Sequence, residues 1–432
     1  MKEKIQNNYN ALMLFACIII SLIPTVLYKN ITEANIYTVL NAISFIIQII
    51  IGIHLIIKNK VEVKEIFKKY TKYIVLIIGI LFISQLINLL KGMEIKFNDI
   101  VNIGAITVNV TLFILLIGSI KLKEKDFITF MKMMLILAMV ACAYNLFIIA
   151  ESIPQLLDYK NGYNIILSSF FPNRNQFGLF LVVAILSNLF IICKDKSKKY
   201  KWSLAILFFN LILTMSRTAI LAGTIAFLTV VLLDEKVKTY IKTNIKKCII
   251  IVGVFVILVT LLVTINKDLT NVIDDLFIRS ETIASGSGRT NIWNTAIKII
   301  TENNIVSGTG RFQTLELLKI EISRAFAQFH NVAIEMYAIG GIIGVALYIF
   351  LLYKVYSNVK NSQLENKYKQ CYLATLIAFI IASTFESILR FSIGYVDTIA
   401  MIYYIVIPLM FSRNIENKEN EKEENTTIVE QI

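Results

Sequence analysis

The chain has two histidines and eight arginines, and the arginines are not spread evenly. Seven of them (Arg174, Arg217, Arg279, Arg289, Arg311, Arg324 and Arg390) fall on one side of the apolar runs, whereas most lysines fall on the other. Lysine is sufficient to fix membrane orientation. A planar guanidinium fork is the better group where phosphate must be gripped through two parallel hydrogen bonds. The sorting therefore points to a phosphate-bearing substrate at the arginine-bearing surface. His330, followed by Asn331, stands at the edge of an apolar run. Imidazole titrates near neutral pH without perturbation, so His330 is a candidate proton acceptor. A lone histidine is more often a packing residue, and His54, toward the lysine-rich end of its run, reads that way.

Two glycine turns add to this set. Ser285-Gly286-Ser287-Gly288-Arg289 is answered 22 residues later by Ser307-Gly308-Thr309-Gly310-Arg311. Apolar residues at helical spacing follow each: Ile292, Trp293, Ala296, Ile297 and Ile300, then Leu315, Leu318, Ile322, Phe326 and Phe329. A glycine-rich turn that opens a helix aims N–H groups outward at the positive end of the macrodipole, which suits an anion. Gly288, Gly310, Arg289 and Arg311 are candidates on that ground. Glycine also simply permits a sharp turn, with the arginine lying over lipid phosphates. The recurrence of one composition ending in Arg gives the binding reading its weight.

The elements that must position these groups are membrane helices. At 432 residues, 56% hydrophobic and 17% charged, with mean hydropathy +0.69, the chain has more apolar side chain than one soluble core can use. Runs able to cross ~30 Å of hydrocarbon lie at 11–28, 36–57, 73–90, 98–120, 127–150, 176–193, 248–265, 331–353, 371–389 and 394–411, with shorter ones at 202–215 and 218–233. The expectation is an all-α polytopic protein with about twelve spans: a bundle over 1–411, an extracytoplasmic unit over 266–330 between spans nine and ten, and a disordered tail over 412–432. The amphipathic helices of that unit should lie along the membrane or cap the bundle. Lysines 58, 60, 64, 68, 69 and 72 in one loop, and 194, 196, 198, 199 and 201 in another, place both termini in the cytoplasm. The net charge of +13 is then topological and does not signal nucleic-acid binding. The first run lacks a small-residue cleavage site and reads as retained.

Arg217 follows a run of only 14 residues, Trp202–Met215, about 21 Å at helical rise. It should sit below the outer membrane surface, where an arginine needs a watered cavity or a partner such as Glu151, Glu335 or Glu386. The five cysteines lie in or at the ends of spans, with no disulfide framework outside them, and zinc-type spacing is absent. No metal or cofactor is expected.

The order of these elements resembles the O-antigen ligase and O-antigen polymerase family of bacterial surface-polysaccharide enzymes. The resemblance rests on Ser216-Arg217-Thr218-Ala219 between two short spans, Gly288-Arg289 with Trp293, Gly308-Thr309-Gly310 with Phe312, and His330-Asn331 ahead of Gly340-Gly341 and Gly344. Phe171-Pro172-Asn173-Arg174-Asn175 with Gly178 is similar to a turn these proteins carry before a middle span. The match is strongest over 168–345. It implies inverting, metal-independent transfer of a glycan from an undecaprenyl-diphosphate carrier at the outer face of the cytoplasmic membrane. Arg217 and Arg289 would stabilise the departing diphosphate, and His330 would take the acceptor proton. Arg311, Arg174, Asn175, Gly288, Gly310 and Asn331 would contact diphosphate or glycan. Glu335, Glu386 and Asp397 are fallback bases or partners that orient the histidine, although Glu386, four residues before Arg390, can also pair with it.

A polymerase passes the chain to another carrier-linked repeat, and a ligase passes it to a lipid core, protein or other anchor; polymerase is the favoured expectation. Besides the carrier-linked oligosaccharide and membrane lipids, a flippase and a chain-length regulator of the same pathway are the expected partners. A transporter of the same oligosaccharide is the competing class. Against it stand the absence of an internal repeat, the four prolines, and the crowding of arginines on one face.

Overall fold

The computed structural model describes residues 8–28, 34–157, 167–244 and 289–413. All regular structure among them is helical. The helices are α1 (Tyr9–Tyr28), α2 (Ala34–Lys58), α3 (Val63–Leu90), α4 (Phe97–Val108), α5 (Glu124–Leu157), α6 (Arg174–Lys194), α7 (Lys198–Leu213), α8 (Arg217–Leu233), α9 (Glu235–Thr243), α10 (Arg289–Asn304), α11 (Arg311–Ile322), α12 (Val332–Asn361), α13 (Asn366–Phe385), α14 (Tyr395–Met401) and α15 (Ile407–Ser412). α4 runs on through a π-helical stretch, Asn109–Leu116, and a π turn, Ile402–Val406, joins α14 to α15. Nine of the described helices or continuous helical runs are long and apolar enough to cross a membrane, and α8 is a shorter apolar one. The expected run at 248–265, the first glycine turn with Gly288, Arg279, and nearly all of the tail lie outside the described residues.

α6 and the α14–α15 rod form the centre, with most of their side chains buried. Around them α2 and α3 leave Ile46, Ile50, Ile57, Phe82, Ile83, Leu86 and Leu90 exposed. A helix apolar on its outward face as well as its inward one is solvated by lipid. Buried polar side chains join helices across the apolar interior. Asn145 of α5 accepts the Ser169 N–H and donates to Asn210 of α7, and Thr398 of α14 donates to Gln48 of α2. At the lysine-rich end Glu124 accepts from Lys194 and from the Tyr368 hydroxyl at 2.7 Å. There too Gln370 of α13 donates to the Leu233 carbonyl of α8 at 2.9 Å. α8 and α13 therefore run antiparallel, which brings Arg217 and Phe385 to the opposite end.

That opposite end is organised by a break in α12. Gly340 (φ −139°) and Gly341 (φ +61°) leave helical geometry, so several backbone groups lose intrahelical partners. The second glycine turn supplies replacements: Gly310 N–H donates to the Ala338 carbonyl at 2.9 Å, and Ile342 N–H donates to the Ile305 carbonyl at 3.0 Å. Only glycine fits this approach. A Cβ on Gly341 would lie 2.2 Å from the Val306 oxygen, and one on Gly308 2.5 Å from the Ala338 oxygen. Beside the turn, α10 and α11 bury Ile292, Ala296, Ile300, Leu315 and Leu318 against Phe329 and Ala338, and so cap the start of α12. The period after the second turn predicts a helix reaching Phe329. It stops at Ile322, with Ser323 left-handed (φ +57°), because the backbone of 327–329 is held by side chains instead. Gly341→Ala should destabilise the protein by at least ~2 kcal/mol, read as a lower melting temperature in detergent. Gly79→Ala, with nothing within 4 Å of the new methyl, should leave the melt unchanged.

Candidate active site

His330, Arg289 and Asn175 meet at one carboxylate. Glu386 Oε1 accepts from Asn175 Nδ2 and from Arg289 Nη2, both at 2.9 Å. Its Oε2 lies 3.1 Å from His330 Nδ1. A carboxylate ion-paired to arginine accepts the Nδ1 proton, which leaves Nε2 with its lone pair and the ring oriented. Gln328 Nε2 is 3.0 Å from the same Nδ1; on this tautomer its amide turns its oxygen to the ring. His330 itself is left-handed (φ +56°), a conformation that the surroundings must enforce.

Three side chains enforce it. Trp293 of α10 donates from Nε1 to the Phe329 carbonyl at 2.8 Å. Glu335, wholly buried on the first turn of α12, accepts the Phe329 N–H at 3.2 Å. Glu335 also binds Arg311 Nε at 2.7 Å, and Arg311 Nη2 donates to the Ala327 carbonyl at 2.7 Å. Segment 327–330 is thereby fixed between α10, α11 and α12, with His330 at its end.

The opposing wall is the non-helical segment after α13, which ends at Phe385 and not at 389. Leu389 (φ +62°) and Phe391 (φ +58°) are left-handed within it. Arg390 donates from its backbone N–H, Nε and Nη2 to Asp397 at the start of α14. Burial opposes the Arg390 charge, and the Asp397 and Glu335 carboxylates outweigh it, holding the guanidinium above its ordinary pKa. Asn109, where α4 turns π-helical, donates to the Phe391 carbonyl at 2.8 Å. The segment is thus tied at both flanks while Glu386 points to His330. The expected Glu386–Arg390 pair does not form, since the i,i+4 relation holds only within a helix.

Arg217 is the first residue of α8 and is exposed, with an interaction of its own. Its turn packs on Gly178 of α6, where a Cβ would meet that of Ala219 at 2.7 Å and that of Ser216 at 3.1 Å. Gly178 stands about one turn after Asn175, so the Arg217 turn and the Glu386 cluster share the start of α6. Arg174, at the same start, is half-buried and also has a partner. Asn173 caps α6 by accepting the Gln176 N–H at 3.0 Å.

Other candidates take different places. Arg311 is 5% exposed, and its Glu335 and Ala327 bonds make it a clasp of the loop instead of a substrate ligand. The anion site expected at the second glycine turn is filled from within: Asp99 of α4 accepts the Phe312 and Gln313 N–H groups at 2.9 and 3.0 Å. Gly310 serves that contact, since a Cβ there would lie 2.7 Å from Asp99 Oδ2. Asn331 caps α12 through the Ile334 N–H and donates to the Thr384 carbonyl, which fixes the backbone beside His330. Sequence reasoning did not single out Asp99, Asn109 or Gln328. A lone carboxylate opening an apolar run was the available signal for Asp99. His54, expected to be a packing residue, is exposed at the lysine-rich end, 2.6 Å from the Tyr9 hydroxyl.

Residues 202–349, from α7 into α12, match the family model described as O-antigen ligase. The match supports membership of the O-antigen ligase and polymerase family. That segment of the O-antigen ligase domain holds Arg217, Arg289, Arg311, His330 and Glu335; Asn175 and Glu386 reach the site from outside it. Comparison with curated proteins gives no match. Removing Glu335 leaves the Arg311 charge buried alone. Glu335→Ala should therefore cost about 3–5 kcal/mol, seen as loss of monodisperse protein on size exclusion or a steep fall in melting temperature. Arg324→Ala, on an exposed side chain, should melt like the parent.

Proposed function

We propose that this protein is a surface-polysaccharide polymerase. In this reading it transfers glycan from an undecaprenyl-diphosphate-linked donor to a carrier-linked acceptor at the outer face of the bacterial cytoplasmic membrane, with inversion and without a metal. The observation that carries the reading is the His330–Glu386–Arg289 cluster beside the Arg217 turn. The topology proposed with it has twelve spans and both termini in the cytoplasm.

In the proposed reaction the acceptor hydroxyl gives its proton to His330 Nε2 as its oxygen attacks the anomeric carbon. The bond to the carrier diphosphate breaks on the opposite face, and its electron pair leaves with the diphosphate. Glu386 stabilises the imidazolium that forms. Negative charge grows on the leaving diphosphate, where the guanidinium groups of Arg217 and Arg289 lower the transition state more than the ground state. Arg174 and Asn175 at the start of α6 border the same space. A ligase using another acceptor is the second reading, favoured by the match to a family described as O-antigen ligase. A carrier-linked oligosaccharide transporter is the remaining alternative.

The test is incubation of purified protein with its lipid-diphosphate-linked repeat unit in the presence of EDTA, with products resolved by size. A ladder spaced by one repeat is expected. No ladder, with glycan transferred only to a distinct anchor, would assign the ligase reaction. His330→Ala should lower transfer by about 10²–10⁴-fold, and Glu386→Gln should also lower it by weakening the hold on the imidazole. Arg217→Lys should be impaired although the charge is kept, because the fork is lost. Full activity of both the His330 and Arg217 variants would remove the assignment.

A further inference from the structure

A cavity of about 550 Å³ lies between α3, α4, α12 and α15, within the ~300–1,000 Å³ usual for ligand sites. Its walls are mostly aliphatic and aromatic, and it reaches from the α12 break, where Gly340 and Gly344 line it, to Asn358. From Gly340 to Asn358 is about 27 Å of helix, most of the thickness of the hydrocarbon. The lining residues carry three cations, Lys69, Lys354 and Arg413, and no acid. These cations share one end. Tyr73 of α3 and Phe350 of α12 stack at 5.6 Å; Lys69 is one turn before Tyr73, and Lys354 one turn after Phe350, on antiparallel helices. Arg413 follows α15 directly. None of these groups takes part in the His330 site, which lies at the other end of α12.

We propose that this groove is a site for an anionic phospholipid of the lysine-side leaflet, its headgroup phosphate held by Lys69, Lys354 and Arg413 and one acyl chain laid along the groove to the α12 break. The placement of charge selects this occupant. A prenyl carrier reacting at His330 has its phosphates at that end, whereas the groove's cations stand at the far end, where a lipid of the opposite leaflet presents its phosphate. The acyl chain meets the α12 backbone at Gly340 and Gly344, beside the break that receives the Gly308–Gly310 turn, so occupancy also steadies that junction.

Native mass spectrometry of the full chain, taken from vesicles of equimolar phosphatidylglycerol and phosphatidylcholine, tests this without reference to catalysis. Retained phosphatidylglycerol should exceed phosphatidylcholine, and Lys69→Gln and Lys354→Gln should each lower that preference about fivefold. Ile77→Trp, which fills the groove and keeps the cations, should abolish retention. Melting temperature should rise with phosphatidylglycerol in the parent and not in Ile77→Trp. Equal retention of both lipids, retention that survives Ile77→Trp, or a groove-dependent prenyl phosphate in place of phospholipid would each overturn the proposal. None of these outcomes bears on the role of His330.

Discussion

The arrangement of the site depends on one backbone-to-backbone contact, the seating of the Gly308-Thr309-Gly310 turn in the break of α12. A membrane helix that loses its ladder inside the bundle must find new partners for each freed group, because hydrocarbon offers none. Here the break and the turn satisfy one another through the Ala338 carbonyl and the Ile342 N–H. Ser84 and Asn88 of α3 add to this by donating to the Gly308 and Thr309 carbonyls at 2.7 and 2.6 Å. Each half leaves backbone groups unpaired without the other, so the break fixes where α11 begins. The start of α11 in turn fixes Arg311, and Arg311 fixes the segment that ends in His330.

Buried charge does the next part of the positioning. Glu335 and Arg311 are both removed from solvent, with side chains 0% and 6% exposed. Such a pair adds little net stability over apolar replacements, but either charge alone is strongly destabilising. Its effect is therefore geometric: only an arrangement that keeps the pair together, with the Ala327 and Phe329 backbone groups satisfied, survives. Arg390 and Asp397 apply the same constraint to the other wall. The two non-helical segments that meet at Glu386 and His330 are each held by an ion pair that takes no direct part in the proposed chemistry.

The apolar runs made the helical bundle legible in the sequence, and the second glycine turn marked where α11 begins. Function of individual arginines was less legible, because guanidinium groups that bind a ligand and those that lock a loop look alike in one dimension. Arg311 and Arg289 follow sequence segments of the same composition, yet Glu335 lies within reach of Arg311 and Glu386 of Arg289. The run at 371–389 concealed the end of α13 for a related reason. Its residues are mostly apolar, and the segment that follows the helix is held by Asp397, just beyond it, and by Asn109, which is distant in sequence. Contacts of that range leave no local period to read.

The sharing of Glu386 gives the proposed reaction an internal logic. One carboxylate faces a permanent cation, Arg289, a neutral amide, Asn175, and an imidazole that is neutral until it takes a proton. Once His330 is protonated, the single negative charge serves two cations and its hold on Arg289 weakens. At that moment the leaving diphosphate is gaining the charge that a guanidinium fork recognises. In the proposed reaction, proton uptake at the acceptor side would favour the turning of Arg289 toward the leaving group. Asn175, donating to the same oxygen as Arg289, keeps the carboxylate in place while its partners change. In that reaction one fixed anion, between the proton acceptor and the guanidinium fork, would couple the two halves of the transfer.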